Sequence, residues 1–287
     1  MVYLALSILS STLIFVVFKL YDVYKVQTLY AIITNYVVAC LVGLFLYEGP
    51  ILPESLVHKS WFWGPVALGA LFIVIFNLMA KTAQVAGVSV ASVATKMSLA
   101  IPVMFGVILY GEKLSLFQIL GVFLALVAVY LASIKSSSVT LNKRDLLLPL
   151  LVFLGSGIID TSMKYFEEGH LTPQEVPIFS SMIFGFAAIF GLMFIGIKAA
   201  RTPLKVNLRN ILGGIALGIP NYFSIFFLIR ALQSDVLGSA AIFTLNNVAI
   251  VLASTLLGIL AFKERLSPKN WAGVALAIFS IIMVALF

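Results

Sequence analysis

The chain of 287 residues is 62% hydrophobic and only 10% charged, with a mean hydropathy of +1.14. A soluble domain carries roughly 25% charged residues, so this composition excludes a soluble globular protein and predicts an integral membrane protein. The net charge of +7 does not indicate nucleic-acid binding, because the basic residues lie between apolar segments rather than in one patch. The single cysteine, Cys40, excludes an intrachain disulfide, and neither a metal site nor a cofactor is expected.

Ten segments have the length and polarity of membrane-spanning helices, for which about 20 apolar residues are needed. The connecting loops are short, so consecutive helices are expected to be antiparallel neighbours. The first segment lacks the basic start and the cleavage site of a signal peptide and is expected to be retained. In chain order the segments are Val2–Leu20, Gln27–Tyr47, Trp61–Gln84, Val88–Tyr110, Leu114–Ile134, Leu146–Phe166, Val176–Ile197, Ile211–Ser234, Leu237–Phe262 and Asn270–Leu286.

The second half of the chain repeats short motifs of the first half. Glu112-Lys113-Leu114-Ser115 returns as Glu264-Arg265-Leu266-Ser267, Lys81-x-x-Gln84 as Arg230-x-x-Gln233, and Gly43-Leu44 as Gly191-Leu192. Lys19-x-Tyr21 returns as Lys164-x-Phe166, and along the chain the offsets rise smoothly from 145 to 152 residues, as one duplication with small insertions predicts. The predicted fold is all-α, with ten transmembrane helices in two five-helix repeats, residues 1–134 and 146–287, joined by a polar linker at 135–145. Because five is odd, the second repeat is expected to be inverted in the membrane.

The loops after the odd-numbered spans, including the linker, lie on one side of the membrane, which we call the linker side. Of the 18 lysines and arginines, 13 fall on the linker side, four fall on the opposite side, and Lys96 lies inside a span. The excess of positive charge predicts that the linker side is cytoplasmic and that both termini are outside.

Motifs at the ends of spans four and nine resemble those of a known family. They are Gly111-Glu112-Lys113-Leu114 and Lys263-Glu264-Arg265-Leu266, and span four also has a Ser/Ala-rich start and Pro102. With the five-plus-five repeat, the chain resembles the drug/metabolite transporter superfamily, in its ten-helix EamA-type group. The resemblance implies a multi-pass inner-membrane carrier, usually an exporter, with a central cavity lined by both repeats. The family is usually described with cytoplasmic termini, opposite to the placement that the charges predict, so the direction of transport is open.

Lys96 lies about eight residues into span four, or roughly 12 Å along a helix, on one face with Ser89 and Ser92. An ionisable residue at membrane depth is a candidate site, and we predict that Lys96 binds an anionic group of a substrate. The alternatives are a side chain that extends to the interface and a structural ion pair. Asp160, in span six, is predicted to bind an amine, carry a coupling proton, or pair with Lys96 or Lys164.

Uncharged polar residues within the spans form a second set of substrate-binding candidates, because a carboxamide can both donate and accept hydrogen bonds. Their alternative role is hydrogen bonding between helices. The set consists of Asn35, Asn77, Asn221, Tyr222, Asn246 and Asn247. Four cations at span ends are predicted to act as gates or interfacial anchors: Lys19, Lys81, Lys164 and Arg230.

The sequence favours a secondary transporter, an exporter by resemblance, that moves a small polar metabolite such as an amino acid by alternating access. An uncoupled channel or facilitator is the alternative. An enzyme is not expected, since two histidines and one cysteine offer little for catalysis, and the chain has no P-loop for ATP. The expected partners are the substrate and the lipid bilayer, and the protein is expected to be a monomer or a homodimer.

Overall fold

A computed structural model of the protein describes residues 1–47, 56–102, 104–105, 115–133, 143–169, 171–172, 174–199, 207–232 and 239–286. These residues form ten α-helices and no β-strand, which confirms the predicted all-α architecture. The helices are α1 (Val2–Val23), α2 (Thr28–Phe45), α3 (Trp63–Val85), α4 (Val88–Met97), α5 (Leu116–Ser133), α6 (Lys143–Gly169), α7 (Val176–Ala199), α8 (Leu208–Leu232), α9 (Ser239–Phe262) and α10 (Pro268–Leu286).

Seven of these helices contain an apolar stretch that is long enough to cross a membrane, and α4, α5 and α10 contribute shorter apolar stretches. Helix α6 begins at Lys143, three residues before the predicted span and inside the predicted linker. Its first turn is polar, and a helix that continues into the aqueous phase does not need apolar residues there. The motif at 111–114, linker residues 135–142 and Gln233 lie outside the described residues.

Helix α4 is interrupted at Ser98 and Leu99, which form a turn before helical structure resumes at Ala100. The cause is Pro102, which has no N–H to donate to the carbonyl four residues earlier, that of Ser98. The N–H of Ile101 bonds to the Ser98 carbonyl instead, at 2.9 Å. Span four was predicted as one helix to Tyr110, and the structure places a break near its middle.

Helix α4 lies at the centre of the bundle, where it packs against α1, α3, α5, α6, α9 and α10. Small and β-branched residues let these neighbours approach closely, and Val88, Ala91, Val93 and Ala94 are completely buried. The centre of the core is therefore formed around the helix that carries Lys96.

Three pairs of helices pack antiparallel, and two contacts in each pair fix its direction. Between α2 and α7, Gly43 lies against Ser181 and Gly191 lies against Ile33. Between α4 and α9, Gly258 lies against Ser89 and Ser254 donates to Ser92. Between α5 and α10, Ser280 donates to the Gly121 carbonyl and Asn270 donates to the Ala132 carbonyl.

Glycines allow α3 to pack closely on α7 and α8 on α2. A β-carbon on Gly69 would lie 3.0 Å from the Ile183 oxygen and 2.7 Å from Phe186 Cβ, and one on Gly218 would lie 2.8 Å from both the Asn35 oxygen and Val38 Cβ. Close approach of this kind is typical of helix interfaces within membranes, where small residues bring backbones together.

Candidate functional site

One face of α4 reaches open space inside the bundle. Between Val88 and Ala100 every residue is buried except Thr95, Lys96 and Leu99, which are half-buried. Because six other helices surround α4, the space that these three side chains reach lies among the helices. Lys96 therefore projects into the interior of the protein, with the hydroxyl of Thr95 and the apolar side chain of Leu99 on the same face.

Asp160 approaches the same region from α6. It lies on the face of α6 that also carries the buried residues Val152, Phe153 and Ser156. The exposed apolar residues Leu150, Leu154 and Ile158 lie on the opposite face. Its side chain is nevertheless exposed, so the space that it meets lies inside the bundle. Oδ2 of Asp160 accepts a hydrogen bond of 2.9 Å from the hydroxyl of the buried Ser98 on α4.

Lys96 and Asp160 are close enough for their charges to interact. They do not form a direct ion pair; among the described residues the direct pair is Lys59 with Glu175, at 2.8 Å. The structure thus brings the two ionisable span residues to one region without a direct contact between their charged groups. Lys164, the other predicted partner of Asp160, lies on α6, and its side chain is outside the described part of the structure.

Asn247 on α9 belongs to the same region by register. Helices α9 and α4 run antiparallel, with Ser254 bonded to Ser92. Two turns earlier along α9, the same register puts Asn247 near the level of the break in α4 at Ser98 and Leu99. Asn247 is nearly buried and has no hydrogen bond to another described residue, so its carboxamide is available for a ligand.

The remaining uncharged candidates bond to the protein itself. Asn221 on α8 donates to the Asn35 carboxamide on α2 at 3.1 Å, and both are buried. Asn246 accepts a hydrogen bond from Ser7 on α1 at 3.1 Å, while Asn77 donates to the carbonyl of Ile73 in its own helix at 2.6 Å. These contacts join helices or satisfy the carboxamide locally.

Tyr222 is also buried and contacts the protein itself. Its ring stacks on Phe226 with centroids 6.2 Å apart and fills the space beside Gly43. It serves the packing of α8 against α2.

The linker-side ends of α1, α2 and α3 are joined by Gln84. Lys19 donates to the Gln84 carbonyl at 3.2 Å, and the Gln84 carboxamide donates to Thr28 at 2.9 Å and to the Phe18 carbonyl at 3.3 Å. Gln84 was not among the predicted site residues, although the repeated Lys81-x-x-Gln84 motif contained it. Lys81 itself is exposed at the end of α3.

Glu264 joins the linker-side ends of α4 and α9. Its carboxylate accepts hydrogen bonds from the Val88 N–H at 2.7 Å and from the Ser89 hydroxyl at 3.2 Å. Gly87, with a φ of 110°, allows the chain to turn into α4 at this point. On α8, the predicted gate Arg230 is exposed and lies over the ring of Phe226, 5.4 Å from its centroid.

Comparisons with known proteins agree with this architecture. A crystal structure of a protein with 17% identity superposes with a TM-score of 0.60, covering 99% of this chain and 96% of that one, so the two share a fold. An uncharacterized protein of Haemophilus influenzae is 28% identical over 285 residues, which are 97% of this chain and 95% of the relative.

The first half of the chain also matches a family of transporters. Residues 1–134 match the EamA-like transporter family. Together with the long apolar helices, this match identifies a multi-pass membrane protein. The predicted resemblance to the drug/metabolite transporter superfamily is therefore confirmed by the match over residues 1–134.

Proposed function

We propose that the protein is a secondary transporter of the inner membrane that exports a small zwitterionic metabolite, such as an amino acid, by alternating access. The observation that carries this proposal is the pair Lys96 and Asp160, which project opposite charges into the bundle interior without a direct ion pair. A buried charge needs a partner. A zwitterion supplies both partners, with its carboxylate at Lys96 and its ammonium at Asp160, and Asn247 adds an uncharged hydrogen-bonding group.

Alternating access requires two halves that can exchange roles, and equivalent contacts support an inverted repeat. Gly69 meets Ile183 and Phe186, whereas Gly218 meets Asn35 and Val38. In the repeat, Gly69 corresponds to Gly218, about 149 residues later. Its neighbours Ile183 and Phe186 correspond to Asn35 and Val38, about 148 residues earlier, so the two contacts are equivalent. The three antiparallel pairs, α2 with α7, α4 with α9 and α5 with α10, are also those that a twofold axis in the membrane plane would place face to face.

The repeat also supports a central position for the site. Corresponding residues of α4 and α9 are about 151 positions apart in the chain. Combined with the Ser92–Ser254 register, this offset supports a crossing of the proposed axis near Met97–Ser98 of α4. An axis in the membrane plane passes through the midplane, roughly 15 Å from either edge of the hydrocarbon core. Lys96 next to it is then too deep for its ammonium to reach the interface.

The contacts of Gln84 and Glu264 supply the closed gate of this cycle. Both residues join helix ends on the linker side, which the charge distribution predicts to be cytoplasmic. Opening the site toward that side requires these hydrogen bonds to break. We propose that they break and re-form once in each transport cycle.

The test is exchange of radiolabelled amino acids in proteoliposomes that contain the purified protein. We expect saturable counterflow of at least one zwitterionic amino acid, its loss in Lys96→Met, and its retention in Lys269→Met, a matched control at an exposed lysine. Flux that does not saturate would indicate a channel, and wild-type kinetics in Lys96→Met would remove Lys96 from the site.

A further inference from the structure

The hydroxyl of Ser98 faces two acceptors but has one hydrogen. Its oxygen lies 2.5 Å from the Thr95 carbonyl and 2.9 Å from Oδ2 of Asp160. A serine hydroxyl donates one hydrogen bond and can accept others. It therefore cannot donate fully to both groups at the same time.

Which acceptor receives the hydrogen depends on the protonation of Asp160. An ionised carboxylate only accepts, so Ser98 must donate to Asp160 and leave the Thr95 carbonyl. A protonated carboxyl donates its own hydrogen to the Ser98 oxygen, which frees the Ser98 hydrogen for Thr95. The same positions of the heavy atoms serve both states, so a proton on Asp160 reverses the direction of the hydrogen bonds.

This relay lies at the break in α4. Ser98 is the residue whose carbonyl loses its helical donor to Pro102, and it forms the turn between the two parts of α4. Thr95 lies one turn earlier on the half-buried face that includes Lys96. A change in the direction of the Ser98 hydrogen bond therefore acts on the part of α4 that carries the site.

Lys96 is the charged residue that faces Asp160 from α4. Helices α3 and α5 also pack against α6. The described residues of α5 contain no charged side chain, and the charged residue of α3 is Lys81, at its linker-side end. Among the side chains that the structure describes, Asp160 thus has one cationic neighbour and one hydroxyl donor, and it has access to the interior space.

We propose that Asp160 is the proton-binding site of the carrier and that Ser98 transmits its protonation state to the break in α4. The proton passes from water in the interior space to Oδ2, and the Ser98 hydrogen turns from Asp160 to the Thr95 carbonyl. The proposal rests on the proposed transport function for its role in coupling. A neutral carboxyl cannot pair with an ammonium group, so a proton and the amine of the substrate occupy Asp160 in turn, and the protein exchanges one for the other.

Infrared spectroscopy of the purified protein in lipid nanodiscs tests the proton site without a substrate. We expect a carboxylic acid C=O band that disappears as the pH is raised and that is missing from Asp160→Asn. In Ser98→Ala the band should remain but move to higher frequency, because the acid has lost its hydrogen-bond partner. Ser181→Ala is the matched control, since the Ser181 hydroxyl donates to the Pro177 carbonyl of its own helix at 2.8 Å.

The proposal is overturned if the wild type and Asp160→Asn have the same spectra at every pH, or if Ser98→Ala gives the spectrum of Ser181→Ala. The Ser98 comparison decides the matter even if Asp160→Asn does not fold. Amino-acid exchange in the same preparations separates the two proposals: exchange without an Asp160 band removes the proton site alone, and an Asp160 band without exchange removes the transport function alone.

Discussion

The carboxylate of Glu264 accepts a hydrogen bond of 2.7 Å from the N–H of Val88, so a residue that follows α9 caps the first turn of α4. A carboxylate at this position satisfies an N–H that the helix cannot bond and interacts favourably with the helix dipole. The contact connects the two central helices of the bundle at their linker-side ends.

Loss of this cap is expected to destabilise the protein. We predict that Glu264→Ala lowers the free energy of unfolding by about 1 kcal/mol, the usual effect of removing a helix cap. Glu264→Gln should retain most of the stability, since its amide oxygen can still accept from Val88. Thermal unfolding in one detergent measures both, and equal losses in the two variants would show that charge, rather than capping, is what matters.

The two equivalent glycine contacts give a second prediction. Gly69→Ala and Gly218→Ala each place a methyl group within 3 Å of the facing helix. We expect each to lower the free energy of unfolding by about 1–3 kcal/mol, as overpacking does. Gly196→Ala is the control, because nothing lies within 4 Å of the added carbon. An effect at only one of the two sites would contradict equivalent packing in the two halves.

A third prediction separates binding carboxamides from structural ones. Asn247 has no described partner, so Asn247→Ala should raise the KM for the exchanged amino acid about five- to tenfold, the effect of one lost hydrogen bond, and leave unfolding unchanged. A normal KM in Asn247→Ala would exclude Asn247 from the site.

The structural carboxamides Asn35 and Asn221 are joined by a hydrogen bond that Asn221 donates to Asn35. A double-mutant cycle of their alanine variants should give a coupling energy of about 0.6 kcal/mol in stability.

The ion pair between Lys59 and Glu175 predicts a dependence of stability on pH. Partial burial raises the pKa of Glu175, but hydrogen bonds from Lys59 and Thr172 lower it more, to about 2. The folded state therefore holds the ionised carboxylate more firmly than the unfolded chain does. The resulting stability is complete above the ordinary pKa of 4.5 and is lost as the pH falls toward 2.

The melting temperature of the wild type should accordingly fall more steeply than that of Glu175→Gln over this acidic range. Because burial of Lys59 is slight, the pair is screened by solvent and the difference will be small. Parallel curves for the two proteins would show that the pair adds nothing to stability.

The sequence predicted the order of the ten helices from its apolar segments between polar loops, but it predicted one continuous helix from Val88 to Tyr110, and the structure interrupts that helix after Met97. It also singled out Lys96 and Asp160, since charges in apolar segments are rare. It could not identify Ser98, because a serine near a proline is common and its significance comes from a neighbour 62 residues away. For the same reason it could not separate Asn247 from Asn35 and Asn221, whose roles depend on which helix each one faces.

Helices α5 and α10 are held together near both ends, by Ser280 to the Gly121 carbonyl at 2.7 Å and by Asn270 to the Ala132 carbonyl at 2.9 Å. Because hydrogen bonds join the two helices at two levels, we expect them to move as one unit in the proposed transport cycle. Spin labels on the exposed Leu120 and Phe279 should therefore keep one separation throughout turnover, so that the hinge of the cycle lies outside this pair.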